Sequence, residues 1–168
     1  LEIVYMRVAA DAGLDVYGVP APGHFVLGCD APKHRLFVDP FTGGDVMRLD
    51  ACRQRIARLT GYDGEIAREH FRPATTREIV IRVLRNLKTA YLKEERWEEV
   101  MPVQRRIMRL APDAAEERRD LALVCLRTGA MHEAIELLTN YLEVCRPEER
   151  RTIEPYLAAA RRAAAEMN

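Results

Sequence analysis

Several things are scarce in this chain of 168 residues, and each scarcity narrows what it can do. No apolar run reaches the length of a membrane span, and no signal-peptide pattern is in view, so no membrane partner is expected and the cytoplasm is the expected location. Neither charge is in excess: 26 basic residues face 26 acidic ones, divided 8 and 10 up to residue 70 and 18 and 16 beyond it. Neither half is therefore strongly basic, and nucleic acid is not an expected partner. The four cysteines lack CxxC spacing, which excludes a disulfide framework or a zinc site by pattern. The four histidines, His24, His34, His70 and His132, show no ligand spacing, so neither a metal nor a cofactor is expected. The opening Leu1-Glu2-Ile3-Val4-Tyr5-Met6 has no helix cap and no initiator methionine, and reads as a fragment that begins inside a helix.

What is present begins with a helix over Glu2 to Ala12, with Gly13 in the C′ position. Asp15 to Val19 is β-prone and ends at Pro20. His24 to Cys29 reads as a mostly apolar strand, Asp30-Ala31-Pro32-Lys33-His34 carries turn chemistry, and Arg35 to Asp39 is a second strand closed by Pro40 and Gly43-Gly44. With the turn centred near Pro32, His24 and Asp39 fall together at the open end of this hairpin. Whether they share a face depends on register, which a slip of one residue reverses. An imidazole takes a proton near neutral pH, and a carboxylate on its other nitrogen fixes the tautomer. Such a pair activates a thiol. The plainer reading makes His24 a satisfied turn or core histidine and Asp39 the cap of the Pro-Phe-Thr-Gly-Gly turn.

The segments Pro22-Gly23-His24-Phe25-Val26-Leu27 and Leu36-Phe37-Val38-Asp39-Pro40-Phe41-Thr42-Gly43-Gly44 resemble the histidine and aspartate strands of the transglutaminase-like, papain-related superfamily. More narrowly, with the preceding Gly13-to-His24 stretch, they resemble the bacterial regulators of SirC, which join a transglutaminase-like region to tetratricopeptide repeats. The motifs cover roughly residues 1 to 60. The resemblance implies that His24 is the base and Asp39 its orienter. It also implies a nucleophilic cysteine at the start of the first helix, about four turns before Gly13 and hence ahead of Leu1. The regulator family often lacks that cysteine.

No cysteine of this chain is an evident substitute. Cys29, at odd spacing from His24, points to the opposite face of the strand. Cys52 lies in the first turn of a helix opened by Asp50, where a thiol pKa is lowered. Cys125 and Cys145 fall at helical core positions.

The chain changes character near residue 73. Residues 1–72 read as the C-terminal part of a transglutaminase-like domain, and 73–168 as two tetratricopeptide-type hairpins plus a capping helix. Thr75-x-x-Glu78 is a capping box. Helices follow from there, then over Trp97 to Leu110, Ala115 to Arg127, Met131 to Val144 and Ile153 to Met167; Pro102 is tolerable only near the first turn of its helix. They repeat with a period of 34 residues: Leu87 matches Leu121, Leu92 Leu126, Val100 Ala134, and Ile107 Tyr141. Lys88 and Val100 depart from the small residues usual at their positions, which marks the first unit as degenerate. Arg105, Arg106 and Arg109, and the run Glu116 to Arg119, read as solvated helix faces. The alternative is a peptide groove on the concave face, built from the first helix of each unit, which Asn86, Thr89, Lys93, Asp120, Leu123 and Arg127 would line.

The expected fold class is thus an α+β transglutaminase-like (papain-related) region with a small antiparallel sheet, followed by an all-α tetratricopeptide helical-hairpin array. The expected function is a non-catalytic or regulatory protein-interaction protein that takes a protein or peptide partner through its repeats. The alternatives are a thiol enzyme, a cysteine peptidase or protein acyl transferase with its cysteine upstream of Leu1, and a purely structural role for His24 and Asp39. So short an array is also expected to pack on the first region.

Overall fold

A computed structural model describes residues 1–166, and the expected end of the last helix at Met167 lies outside the described residues. The chain forms two compact units, Leu1–Ile79 and Val80–Asn168.

In the first unit, α1 (Glu2–Asp11) ends as its sequence dictates. Gly13 takes φ +73°, and the amides of Gly13 and Leu14 turn back to the carbonyls of Ala10 and Ala9, which satisfies carbonyls the helix end leaves open. Four strands follow as an antiparallel meander: β1 (Val16–Val19), β2 (Val26–Asp30), β3 (Arg35–Asp39) and β4 (Asp45–Met47). Two features depart from the sequence reading. The strand expected from His24 starts at Val26, because Gly23 at φ +65° closes a turn in which the His24 amide bonds the Ala21 carbonyl. And β4 follows the glycine pair directly, three residues with only Met47 buried, too short to carry a periodicity.

The helix α2 (Leu49–Thr60) ends at Gly61, and a single 3-10 turn, Arg68–Phe71, lies between it and the next helix. Alternation puts Val26, Phe37 and Met47 on one face of the sheet. There they form a core with Cys52 and Ile56 of α2, Ile66 and Phe71. Phe71 meets Phe37 edge-on at 5.1 Å. Each such side chain contributes about 1.5–3 kcal/mol by leaving water.

The helix α3 (Thr76–Lys93) begins with a reciprocal capping box: Glu78 accepts from the Thr75 amide at 2.8 Å, and Thr75 Oγ1 from the Glu78 amide at 3.2 Å. The greater part of α3 belongs to the second unit, with α4 (Trp97–Leu110), α5 (Ala115–Arg127), α6 (Met131–Val144) and α7 (Pro147–Glu166). The last helix starts six residues before the expected Ile153: Pro147 is its first residue, where a missing N–H costs nothing. Pro102 lies at the sixth position of α4, past the first turn, and the helix continues through it beside exposed Glu98.

Ala122, Leu138, Tyr141, Leu142, Ile153 and Leu157 form the main core of this unit. The 34-residue period holds in backbone geometry. Gly129 takes φ +80° between α5 and α6, with the Ala130 amide on the Cys125 carbonyl; one period earlier Glu95 takes φ +56°, with the Arg96 amide on the Tyr91 carbonyl.

The first repeat differs in its interior. Where the second has buried Ala122 and Leu138, it has Lys88 and Gln104, and both reach Glu117 of α5. Arg85 bonds the same carboxylate, and Lys88 also takes Asp120 at 2.9 Å. Glu117 is therefore only 5% exposed, which corrects the expectation of a solvated face over Glu116 to Arg119. Burial alone would raise its pKa, but the Gln104 amide and the Arg85 and Lys88 cations hold it below the usual range. Lys88 thus marks a polar packing solution between α3, α4 and α5.

Candidate active-site pair and repeat groove

Asp39 ends β3 on the face that carries Phe37, and its side chain is wholly buried. One carboxylate oxygen accepts from the Phe41 amide at 3.0 Å, capping the 3-10 turn Pro40–Thr42. The other lies 3.0 Å from Nε2 of His24. A carboxylate only accepts, so Nε2 is the donor of this contact, and Nδ1 is the ring nitrogen that Asp39 does not engage. The tilted ring of Phe41, 6.0 Å away, flanks the imidazole. His24 is held from the other side by its turn: a side chain at Gly23 would strike Thr60 at the end of α2 at 3.0 Å, so the backbone packs there without one. The His24 side chain keeps 15% exposure. The base-and-orienter reading and the capping reading are therefore not rivals in geometry, since one carboxylate makes both contacts.

Cys52, the cysteine at a helix start, is fully buried in the core beneath the sheet. Burial, reinforced by the negative charge of Asp39, pushes its thiol up to about 12, which outweighs the helix terminus and leaves it protonated. Cys29 pairs with Leu36 on the face of the sheet opposite Asp39. Cys125 is buried in the helical core, and burial pushes its thiol up to about 11; Cys145 is half-buried at the end of α6. Among the described residues no group of three or more His, Cys, Asp or Glu side chains is placed to hold a metal ion, and no helix is long and apolar enough to cross a membrane.

The second unit carries an open groove of about 540 Å³ between α3, α5 and α7. Its walls are apolar: Leu92, Leu123, Val124, Leu126 and Tyr156, closed by Trp97 at the start of α4. Lys88, Asp120 and Arg127 supply its polar edge. Of the groove residues expected from the sequence, Asp120, Leu123 and Arg127 come together here. Asn86, Thr89 and Lys93 are exposed on α3 but do not line it. Trp97 and Tyr156 were missed, because neither lies on the face that the repeat pattern assigns to a groove.

Residues 1–85 match the model of the transglutaminase-like superfamily. The chain belongs to that superfamily. Residues 87–167 match a tetratricopeptide repeat model. Among curated relatives, a UPF0162 protein of Xylella fastidiosa strain 9a5c is 32% identical over 147 residues, which is 86% of this chain and 52% of the relative. A UPF0162 protein of Pseudomonas aeruginosa is 29% identical over 117 residues, 70% of this chain and 42% of the relative. The chain thus spans about half the length of the curated relatives it matches, all of them bacterial. Within this superfamily member, the resemblance drawn from the His24 and Asp39 strands falls inside the matched residues, and the helical period falls inside the repeat match.

Proposed function

We propose that this chain is a non-catalytic, regulatory protein-interaction module of the bacterial cytoplasm, related to the regulators of SirC. In this reading the transglutaminase-like region, residues 1–72, is a scaffold, and the array over 73–168 binds a protein or peptide partner. The observation that carries it is the groove between α3, α5 and α7: an apolar, solvent-open concavity on a repeat type commonly used for protein interactions. Cross-linking capture from a bacterial lysate tests it. Leu123→Glu is expected to lose the partner while His24→Ala keeps it; recovery of the same proteins by all three forms, or of none, refutes it.

A second reading is favoured by one specific observation, the 3.0 Å contact that orients the His24 imidazole on buried Asp39 through Nε2 and leaves Nδ1 to another partner. With a cysteine upstream of Leu1, that nitrogen would take the thiol proton. The thiolate would attack an amide carbonyl, and His24 would return the proton to the departing amine. The resulting thioester would be attacked by water in a cysteine peptidase or by a second amine in a protein acyl transferase, with the cysteine thiolate as leaving group. Labelling of the full-length protein by an alkyne-bearing iodoacetamide tests this: it should require His24, and labelling indifferent to His24→Ala removes the enzyme.

A further inference from the structure

The exposed face of α4 carries three arginines that the repeat does not need. Arg105, Arg106 and Arg109, with Met101 and Pro102, enclose a notch of about 200 Å³, and no carboxylate lines it. Arg105 is held by Glu133 of α6 at 2.5 Å. Arg106 and Arg109 have no ion-pair partner among the described residues, Asp113 past the helix end included, so two positive charges stand uncompensated. The acids of α4 itself, Glu98 and Glu99, lie in its first turn, about 10 Å or more before Arg106 along the axis. That is beyond the screening length of about 8 Å. One period on, the three arginine positions hold Thr139, Asn140 and Glu143, and Pro102 becomes Glu136. The architecture of a repeat thus makes no demand for cations here. The helix dipole accounts for Arg109 alone, the one basic residue of the last turn. Two choices on this face act against α4 itself. Arg105 and Arg109 are like charges at i, i+4, and Pro102 removes a backbone donor past the first turn. Local penalties gathered at one exposed spot, with no gain in packing, mark a surface that serves something outside the chain.

We infer that this notch on α4 binds a short acidic segment of a partner protein, with one Asp or Glu carboxylate taken by Arg106 and a second by Arg109. It is a contact surface apart from the groove, and it does not depend on what the groove holds. A guanidinium fork matches a carboxylate with two parallel hydrogen bonds. Side chains three apart on a helix stand about 5–6 Å apart at Cβ. Alternate residues of an extended segment stand about 6.6 Å apart, so acids at alternate positions meet both forks. The notch is smaller than the usual ligand pocket of roughly 300–1,000 Å³ and suits a side chain rather than a free metabolite. The Arg105 contact places α6 beside α4, and α6 exposes Glu136 and Glu143. A short acidic segment avoids those carboxylates, whereas a long nucleic-acid strand or an anionic bilayer meets them.

The test is selection of a random peptide library, displayed on phage, against the full chain. Labelled synthetic versions of the enriched peptides are then titrated by fluorescence anisotropy. Enriched sequences should carry two acids at neighbouring or alternate positions. Arg106→Gln and Arg109→Gln should each weaken binding about tenfold or more. Replacing one peptide acid by its amide should weaken it similarly, and the loss should not add to that of the arginine it meets. The double variant Arg106→Lys, Arg109→Lys keeps both charges and loses both forks, and should bind clearly less well than the parent chain. Arg162→Gln on α7 and Leu123→Glu in the groove should bind as the parent does. Equal binding by the double lysine variant overturns the inference, because it shows general attraction between opposite charges. Enrichment without acids, a change below twofold in both glutamine variants, or an empty selection also overturns it. Peptides released by Leu123→Glu but not by Arg106→Gln overturn it and leave the groove reading standing. Binding of oligouridylate or of phosphatidylglycerol vesicles that needs Arg106 and Arg109, with no peptide enriched, assigns the notch to nucleic acid or to membrane. Self-association lost in Arg109→Gln assigns it to a second copy, and each of these results overturns the acidic segment.

Discussion

Asp39→Ala removes the acceptor of two hydrogen bonds at once, from His24 Nε2 and from the Phe41 amide, each 3.0 Å long. A hydrogen bond to a charged group contributes about 1.5–3 kcal/mol, and loss of a cap costs about 1 kcal/mol. Because one carboxylate serves both, the two do not sum fully, and the expected loss for the first unit is about 3 kcal/mol. Asp39→Asn behaves differently. Its oxygen still caps the turn, and its amide donates to Nε2 only if the imidazole moves its hydrogen to Nδ1, so the cost falls to about 1 kcal/mol. The assay has to report on the right unit. Tryptophan emission does not, because Trp97 lies in the second unit. Native-state hydrogen exchange at Gly28 and Phe37, which face each other across β2 and β3, does. Ring nitrogen shifts of His24 read the tautomer. A loss below about 0.5 kcal/mol in Asp39→Ala, the range of an ordinary surface change, refutes the reasoning, as does an Asn variant with the parent tautomer.

Glu117→Gln removes the buried negative charge that faces Lys88 and Arg85, though Lys88 keeps Asp120, and should destabilise the repeats by about 3 kcal/mol in urea unfolding followed by Trp97 emission, the low end for a broken buried pair because Arg85 is half exposed. Glu95→Gly places glycine where the second repeat already has Gly129, and should stabilise by about 0.5–1 kcal/mol, a rise in Tm of about 2 °C. Glu78, whose pKa is held down from 4.5 to about 2 by Arg72 and the Thr75 amide, binds its proton more readily unfolded than folded. Its contribution is complete above pH 4.5 and lost as the pH falls toward 2, so Glu78→Gln should flatten the acid unfolding curve in that window. Cys52 should stay unmodified by a thiol-disulfide reagent at pH 8 until the first unit unfolds, and fast modification would contradict a thiol raised to about 12.

The residues that could be read from the sequence are those whose partners are fixed by short-range chemistry. Gly13 and Gly129 announce helix ends, Thr75 and Glu78 a helix start, and a two-residue hairpin at Pro32-Lys33 fixes the register that brings Asp39 beside the His24 turn. Elements that depend on distant partners were not legible. Nothing in the order of residues around Lys88 or Gln104 says that Glu117, in the next repeat, receives both; a repeat pattern tuned to small and apolar positions reads such residues as decay. The groove was half legible for the same reason. Leu123 and Arg127 follow the period of α5, whereas Trp97 enters from the start of α4 and Tyr156 from α7. Short β4 had neither length nor alternation to announce it.

The double duty of Asp39 couples a turn to an imidazole. The carboxylate that closes Pro40–Thr42 also sets the orientation of His24, so a substitution that disturbs one contact disturbs the other. Whatever His24 meets, its position is tied to the folding of the first unit.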